Sequence, residues 1–174
     1  MNFLNKIEIL QRKKEVNLCN PCIYFLILNN EIVYVGQSVT PINRIYAHAT
    51  DKTKNFDSYV LIECDLDKLD FYETEYIIKF NPIYNQQLPA NSYYKGFSGL
   101  KNLYNIKDKD IKEIVQQYNL QIYLIGNKHY IRLREFNKAF KKYQKKKDFS
   151  QSIKKKEKTK GKERTSFNYL ECKF

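Results

Sequence analysis

An unbroken apolar run, Cys22 to Leu28, is followed by Asn29-Asn30 and then by a second β-rich run that ends at Gly36. Ile, Val, Leu, Tyr and Phe on both sides of two turn-forming asparagines predict a β-hairpin over residues 22–28 and 31–36. The period then changes. In "TPINRIYAHA" Thr40 is placed to cap a helix, and Pro41 suits its first position. Ile42, Ile45 and Ala49 recur at i, i+3, i+7 as its buried stripe. "DSYVLIECDL" predicts a third strand. "DKLDFYETEYIIKFN" predicts a second helix, stopped at Pro82, with a short helix possible within residues 1–18. The order β-β-α-β-α fills residues 20–85.

The rest of the chain follows other rules. "NSYYKGFSGL" carries two glycines among small polar residues and reads as a linker. "IKDKDIKEIVQQYNL" is an amphipathic helix with Ile111, Ile114, Val115 and Tyr118 on one stripe. "QIYLIGNKHYIRL" is a hairpin about Gly126-Asn127, and "REFNKAFKKY" is a helix burying Phe136, Phe140 and Tyr143. After Lys145 hydrophobicity collapses, which predicts disorder. The expected fold class is therefore α+β, with a three-stranded antiparallel sheet flanked by helices and a small helix-hairpin-helix module. The expected organisation is an N-terminal extension (1–19), a β-β-α-β-α domain (20–90), a linker (91–105), the second module (106–145) and a basic tail (146–174).

Charge sharpens this division. The formal net charge is +12, but residues 138–164 hold 13 basic and 3 acidic side chains, whereas residues 1–137 hold 17 and 15. A cationic tail on a nearly neutral body suits a polyanion such as nucleic acid, or else serves only solubility. No run of about 18 apolar residues predicts a membrane span. "MNFLNKIEILQRKK" has no apolar core or cleavage site of a signal peptide, so a cytoplasmic location is expected. Four cysteines, Cys19, Cys22, Cys64 and Cys172, form no disulfide framework. Cys19 and Cys22 have metal-ligand spacing, but no second pair completes a zinc site.

The hairpin carries Tyr24 and Tyr34 near its outer end. With a two-residue Asn29-Asn30 turn, Tyr24 faces Val35 and the phenols point to opposite sides. With a three-residue loop, Tyr24 faces Tyr34 and they share one face. Gly36, lacking a Cβ, lets another group approach the strand closely. Arg44 and His48 are four apart on the first helix and share a face, read as lying away from the Ile42/Ile45/Ala49 stripe. A guanidinium there suits phosphate. On the second helix Leu69, Glu73, Tyr76 and Phe80 form one stripe, which places Glu73 beside the buried face. Glu75 falls elsewhere, four residues before Lys79. A carboxylate near a core needs a partner, and either a divalent cation or Arg44 would serve. Asn85 follows in the loop "NPIYN".

Together these residues resemble the GIY-YIG nuclease family of homing, restriction and repair endonucleases. Cys22-Ile23-Tyr24 stands where the family has Gly-Ile-Tyr, and Tyr34-Val35-Gly36 where it has Tyr-Ile-Gly. Arg44 matches the family arginine, Glu73 the metal-binding glutamate and Asn85 the closing asparagine. His48 matches a histidine found in some members. The resemblance covers about residues 21–88, and Cys22 is its one departure in residue class. It implies a Mg²⁺-dependent DNA endonuclease, with Mn²⁺ able to substitute. Glu73 would hold the metal, Arg44 would neutralise phosphoryl charge, Tyr24 would take the proton of water directly or through His48, and Tyr34 would position water or phosphate. The second module resembles excisionase-type winged helix-turn-helix domains, or is a packing subdomain. Lys128, Arg132 and Arg134, with Lys145, Lys146 and Lys147 of the tail, are the expected contacts to double-stranded DNA.

The expected function is thus hydrolysis of one phosphodiester, nicking a strand at a specific site, by a monomer or weak dimer. The expected setting is a prokaryotic cell, with phage or mobile-element origin and a role in homing, restriction or interference. The alternative is a DNA-binding protein or regulator that keeps the fold without catalysis.

Overall fold

In a computed structural model of the chain, residues 3–11 and 20–166 are described, with side chains as far as Ile153. The chain is mixed α+β. Strands β1 (Cys22–Leu28), β2 (Glu31–Ser38) and β3 (Ser58–Glu63) form an antiparallel sheet in the order β2-β1-β3. Helix α2 (Pro41–Asp51) covers one face of this sheet. The other face receives helix α3 (Leu69–Phe80), entered through a single 3₁₀ turn at Leu66–Lys68, and the short α1 (Lys6–Gln11).

The turn at Asn29-Asn30 has two residues, both with positive φ (50° and 64°). Asparagine tolerates this left-handed conformation, and such a turn matches the twist of the strands it joins. Next to it Leu28 faces Glu31 and Ile27 faces Ile32. One step further on, the register slips at a β-bulge and Leu26 faces Tyr34, so that Tyr24 faces Gly36. Val33 is the additional residue. It packs with Tyr34 on the α2 side, whereas Ile32 and Val35 join the α3 side. Neither register considered from the sequence is the one adopted. The turn is two residues long, yet the bulge still brings both tyrosines to one face.

Helix α2 starts at Pro41 as expected, but Thr40 makes no side-chain cap; its own backbone N–H is held by the Ser38 hydroxyl at 2.9 Å. The buried stripe is Pro41, Ile45 and His48, and Ala49 is exposed. His48 therefore lies three residues on from Ile45 on the inner face, rather than away from it. Arg44, four residues earlier, lies at the rim and is exposed. Helix α3 ends at Asn81, in the left-handed conformation with its N–H on the Ile77 carbonyl at 2.8 Å, immediately before Pro82.

The stretch 91–105, expected to be a linker, is instead structured. Tyr94–Gly96 is strand β4 and Phe97–Tyr104 is helix α4. With β5 (Tyr123–Ile125) and β6 (Lys128–Arg132), β4 forms a second antiparallel sheet in the order β4-β6-β5. Tyr94, Ile125 and Tyr130 on one face of this sheet belong to the same core as Phe25, Val35, Tyr76 and Ile77. Helix α3 is thus shared by two sheets, which explains why its apolar residues run nearly all round it. The far face of the second sheet, through Ile131, packs with Leu100 of α4, Ile111 and Ile114 of α5 (Asp108–Gln117), and Phe136, Phe140 and Tyr143 of α6 (Leu133–Ser166). Helix α6 runs from Leu133 to Ser166, so most of the stretch expected to be disordered is helical. Lys, Gln and Glu are good helix formers, no proline intervenes, and the packed first turns remove the cost of nucleation. Residues 167–174 of that stretch lie outside the described residues, as does Cys19.

Gly36 has the close approach that its position suggested. A Cβ there would stand 2.5 Å from the Tyr24 hydroxyl oxygen, because the Tyr24 ring lies across the strand at this point. Gly36→Ala is expected to destabilise the protein by about 1–3 kcal/mol through overpacking. Urea denaturation checks it, and an unchanged midpoint would mean that the ring has another place to go.

Candidate functional site

Tyr24, Tyr34, Arg44, His48 and Glu73 converge at one end of the first sheet, and Asn85 lines the same cleft as Tyr34 and Glu73. Tyr24 and Tyr34 bring their rings to 5.9 Å, and both lie beside His48, at 5.9 and 5.1 Å between centroids. The Tyr24 hydroxyl and His48 Nε2 are 3.0 Å apart. Arg44 acts electrostatically on Tyr24, Tyr34, His48 and Glu73, and it hydrogen-bonds the Tyr24 hydroxyl. Tyr24 itself is 1% exposed, enclosed by Gly36, His48, Tyr34 and Arg44. Of these four only Arg44 is a long, solvent-exposed side chain.

Glu73 enters from α3. It lines a cleft of about 340 Å³ with Tyr34, Lys54, Asn85 and Leu88. Burial pushes its carboxyl up from 4.5 to about 7, helped by nearby Asp70 and opposed by a hydrogen bond from Gln37 and by Arg44. No salt bridge reaches Glu73 among the described residues, so Arg44 acts on it from beyond ion-pair distance. Glu75 is different in kind. Its Oε1 accepts from the Tyr94 hydroxyl at 3.2 Å and from Arg132 at 3.4 Å, tying α3 to the second sheet. The expected pairing of Glu75 with Lys79 is not made; Lys79 reaches the Leu4 carbonyl at 2.7 Å.

Asn85 has a structural duty. It is 5% exposed, and its amide accepts from Val35 N–H at 2.9 Å and donates to Val35 C=O at 2.8 Å. Strand β2 is the sheet edge, so this side chain satisfies both outward backbone groups of Val35. The neighbouring Tyr84 N–H bonds Val33 C=O at 3.0 Å, extending the seal past the bulge.

Sequence reasoning missed Lys54. Its Nζ sits 3.1 Å from His48 Nδ1 and 4.8 Å from the centroid of the Tyr34 ring. In "DKTKNFD" nothing distinguishes it from a solvent lysine. An ammonium only donates, so Nδ1 must accept. Burial, Lys54 and Arg44 hold His48 below its ordinary value, with Asp51 opposing, and the ring is neutral near pH 7. Its one proton therefore lies on Nε2 and is donated to the Tyr24 oxygen. Burial raises the Tyr24 phenol above its usual value; Tyr34 adds to this and Arg44 opposes it. Tyr34 is raised in the same direction by burial and by Glu73, with Tyr24 and Arg44 opposing.

The basic residues expected to meet DNA divide into two groups. Arg132 holds Glu75 and the Tyr94 hydroxyl, Lys128 donates to Gln87 at 2.8 Å, and Lys147 pairs with Asp110 at 3.2 Å over the Tyr143 ring. Arg134, Lys145 and Lys146 are exposed on α6 and make no ion pair among the described residues. Cys22 is buried and its thiol is pushed up to about 12, chiefly by desolvation, which makes it an inert core residue.

Among the described residues no three His, Cys, Asp or Glu side chains cluster as a metal cage. A single cleft carboxylate does fit a hard cation that keeps most of its waters, as Mg²⁺ does. Among the described residues no helix is long and apolar enough to cross a membrane. No family model, curated protein or solved structure matches the chain.

Glu73 should behave as a destabilised carboxylate. Its folded pKa, about 7, lies above the ordinary 4.5, so its contribution to stability is present below about 4.5 and is lost as pH rises through about 7. Glu73→Gln removes the ionised form. In EDTA at pH 8 the variant should be more stable than the parent by roughly 1–3 kcal/mol, with the difference vanishing at pH 4. Urea melts at both values measure this. A less stable variant at pH 8 would show that the carboxylate is paired.

Proposed function

We infer that the chain is a Mg²⁺-dependent DNA endonuclease of the GIY-YIG type, which hydrolyses one phosphodiester bond per encounter. The observation that carries this reading is a half-buried carboxylate without an ion pair, Glu73, in a cleft beside two tyrosines, an arginine and a histidine. The motif order and spacing along residues 22–85 support it independently. A structural network would have closed Glu73 against Arg44, whereas here each remains available for an incoming charge.

Glu73 is the residue that would hold the metal, and Mg²⁺ or Mn²⁺ would supply Lewis-acid stabilisation of the phosphate and leaving oxygen. Arg44 moves from the tyrosine cluster onto the phosphoryl oxygens, where its planar donors suit them. That movement uncovers the Tyr24 hydroxyl. Since His48 already donates its Nε2 proton to Tyr24, it does not relay the proton of water. At neutral pH Tyr24 is a protonated phenol, so to act as base it first gives its own proton to solvent; the Nε2–H then stabilises the phenolate from behind, and the phenolate takes the proton of water directly. Tyr34, held under Lys54, sets the position of water or phosphate. Asn85 contributes by fixing the cleft wall. One set of these residues per chain gives one cut per docking, hence a nick in duplex DNA.

Supercoiled plasmid incubated with the protein and Mg²⁺ should pass to open circles before linear product appears, and EDTA should stop it. Glu73→Gln should abolish cleavage while binding survives. Glu75→Ala should change the rate by less than about tenfold, about 1.4 kcal/mol of barrier, while lowering stability. Equal losses of rate from the two substitutions would remove the assignment.

The tautomer of His48 offers a separate check on how Tyr24 is held. Nitrogen NMR of the free protein should show the proton on Nε2 in the parent chain. In Lys54→Met the tautomers should mix, and cleavage should fall by about ten- to a hundredfold, in the range of general acid–base contributions. A proton on Nδ1 in the parent would refute the arrangement.

A further inference from the structure

A chain of side-chain contacts runs from Glu73 to a surface for which catalysis itself has no use. Gln37 hydrogen-bonds Glu73 and also donates to Asp70, and Asp70 accepts in turn from Asn91 at 3.1 Å. Beside this chain of contacts stand two solvent-exposed aromatic rings, Phe71 (37%) and Tyr93 (61%), 6.1 Å apart and edge to face. The Tyr93 carbonyl accepts from the first residue of α6, Leu133, at 2.8 Å. Tyr93 then shares a recess of about 320 Å³ with Arg134, Lys138 and Lys141. These three cations lie at i, i+4, i+7 on one face of α6, opposite the buried Phe136, Phe140 and Tyr143. None of them makes an ion pair among the described residues, unlike Arg132 of β6 and Lys147 further along α6.

Duplex DNA offers a protein phosphates and groove edges, and its bases are stacked on one another. It has no use for an exposed ring at the end of a cationic groove. A strand with unpaired bases does, because each free base has a face to stack and each phosphate a charge to neutralise. We propose that Tyr93 and Phe71, with Arg134, Lys138 and Lys141, form a dock for a single-stranded DNA segment that leads to the Glu73 cleft. The preferred substrate is then DNA with an unpaired stretch beside the scissile phosphate. This rests on the nuclease reading for the meaning of the cleft, but binding at the dock is measurable without cleavage.

The chain contains no tryptophan, so Tyr93→Trp creates a single reporter. With the full chain in EDTA, titration with a twenty-nucleotide oligothymidylate should quench its emission, and a duplex of the same length should not. By fluorescence anisotropy, Tyr93→Ala should weaken oligothymidylate binding roughly tenfold and leave the salt slope unchanged. Lys138→Ala should lower that slope by about 0.7. Tyr93 is exposed, so unchanged thermal melts should confirm that the variants fold. Unquenched tryptophan at saturating oligothymidylate, or equal affinity of Tyr93→Ala and the parent, would overturn the dock. Equal losses for duplex and single strand would overturn the preference for unpaired bases. If these binding results hold while the parent cleaves nothing, the nuclease reading falls and the dock stands.

Discussion

One extra residue in β2 decides whether the site exists. Side chains on a strand alternate, so a tight two-residue turn would have put Tyr34 on the face of Phe25, buried against α3. The slip between Leu26 and Ile27 consumes Val33 and reverses the parity for everything beyond it. Tyr34 then joins Tyr24 on the α2 face, and Val35 turns to the α3 core. Gly36 lands opposite Tyr24 and makes room for its ring. A bulge in an edge strand normally leaves backbone groups open. Here the loop after α3 covers them, through Tyr84 on Val33 and Asn85 on Val35. Asn85 is thus tied to the bulge that aligns the tyrosines, two parts of one device.

The second constraint is the double burial of α3. A helix with a sheet on each side has little solvent face on which to place a charge. Its two glutamates solve this differently. Glu75 is compensated by Arg132 and Tyr94 and so fastens the second sheet to the first unit. Glu73 receives a neutral amide from Gln37 and only the more distant field of Arg44, so its charge is left without an ion pair. An ion pair there would have depressed its pKa and closed it to another cation. The cost in stability falls on the one carboxylate that faces the cleft.

How much of this could be read from the amino acids depends on range. The hairpin, the third strand and both helices of residues 20–85 follow from local period and turn residues, and each is present. Ile42, Ile45 and Ala49 fit a helical stripe by polarity, yet His48 takes the inner position because a buried phenol, Tyr24, gives its ring a hydrogen-bond partner. Polarity alone cannot show that. Tyr94-Lys95-Gly96 looks like a linker because a three-residue strand has almost no period, and only its pairing with β6 reveals it. The lysine run after Lys145 reads as disorder by charge, but α6 is already nucleated by Phe136, Phe140 and Tyr143 and continues on helix propensity. The bulge and Lys54 left no local signature, since both are defined by partners distant in sequence.

The cations around the site then divide by what they already hold. Lys54 is committed to the His48 ring and the Tyr34 face, so it shapes the tyrosine cluster rather than greeting a ligand. Arg132 is committed to Glu75. Arg44 is the exception within the site: it touches the fields of four residues, pairs closely with none among the carboxylates, and is exposed. A guanidinium so placed loses little by leaving, because its departure strands no buried partner charge. It also hydrogen-bonds the hydroxyl of Tyr24, a ring that is 1% exposed. On the proposed nuclease reading, an incoming phosphate that draws Arg44 outward would charge the cleft and open Tyr24 in a single movement, coupling substrate arrival to exposure of the residue proposed to act on it.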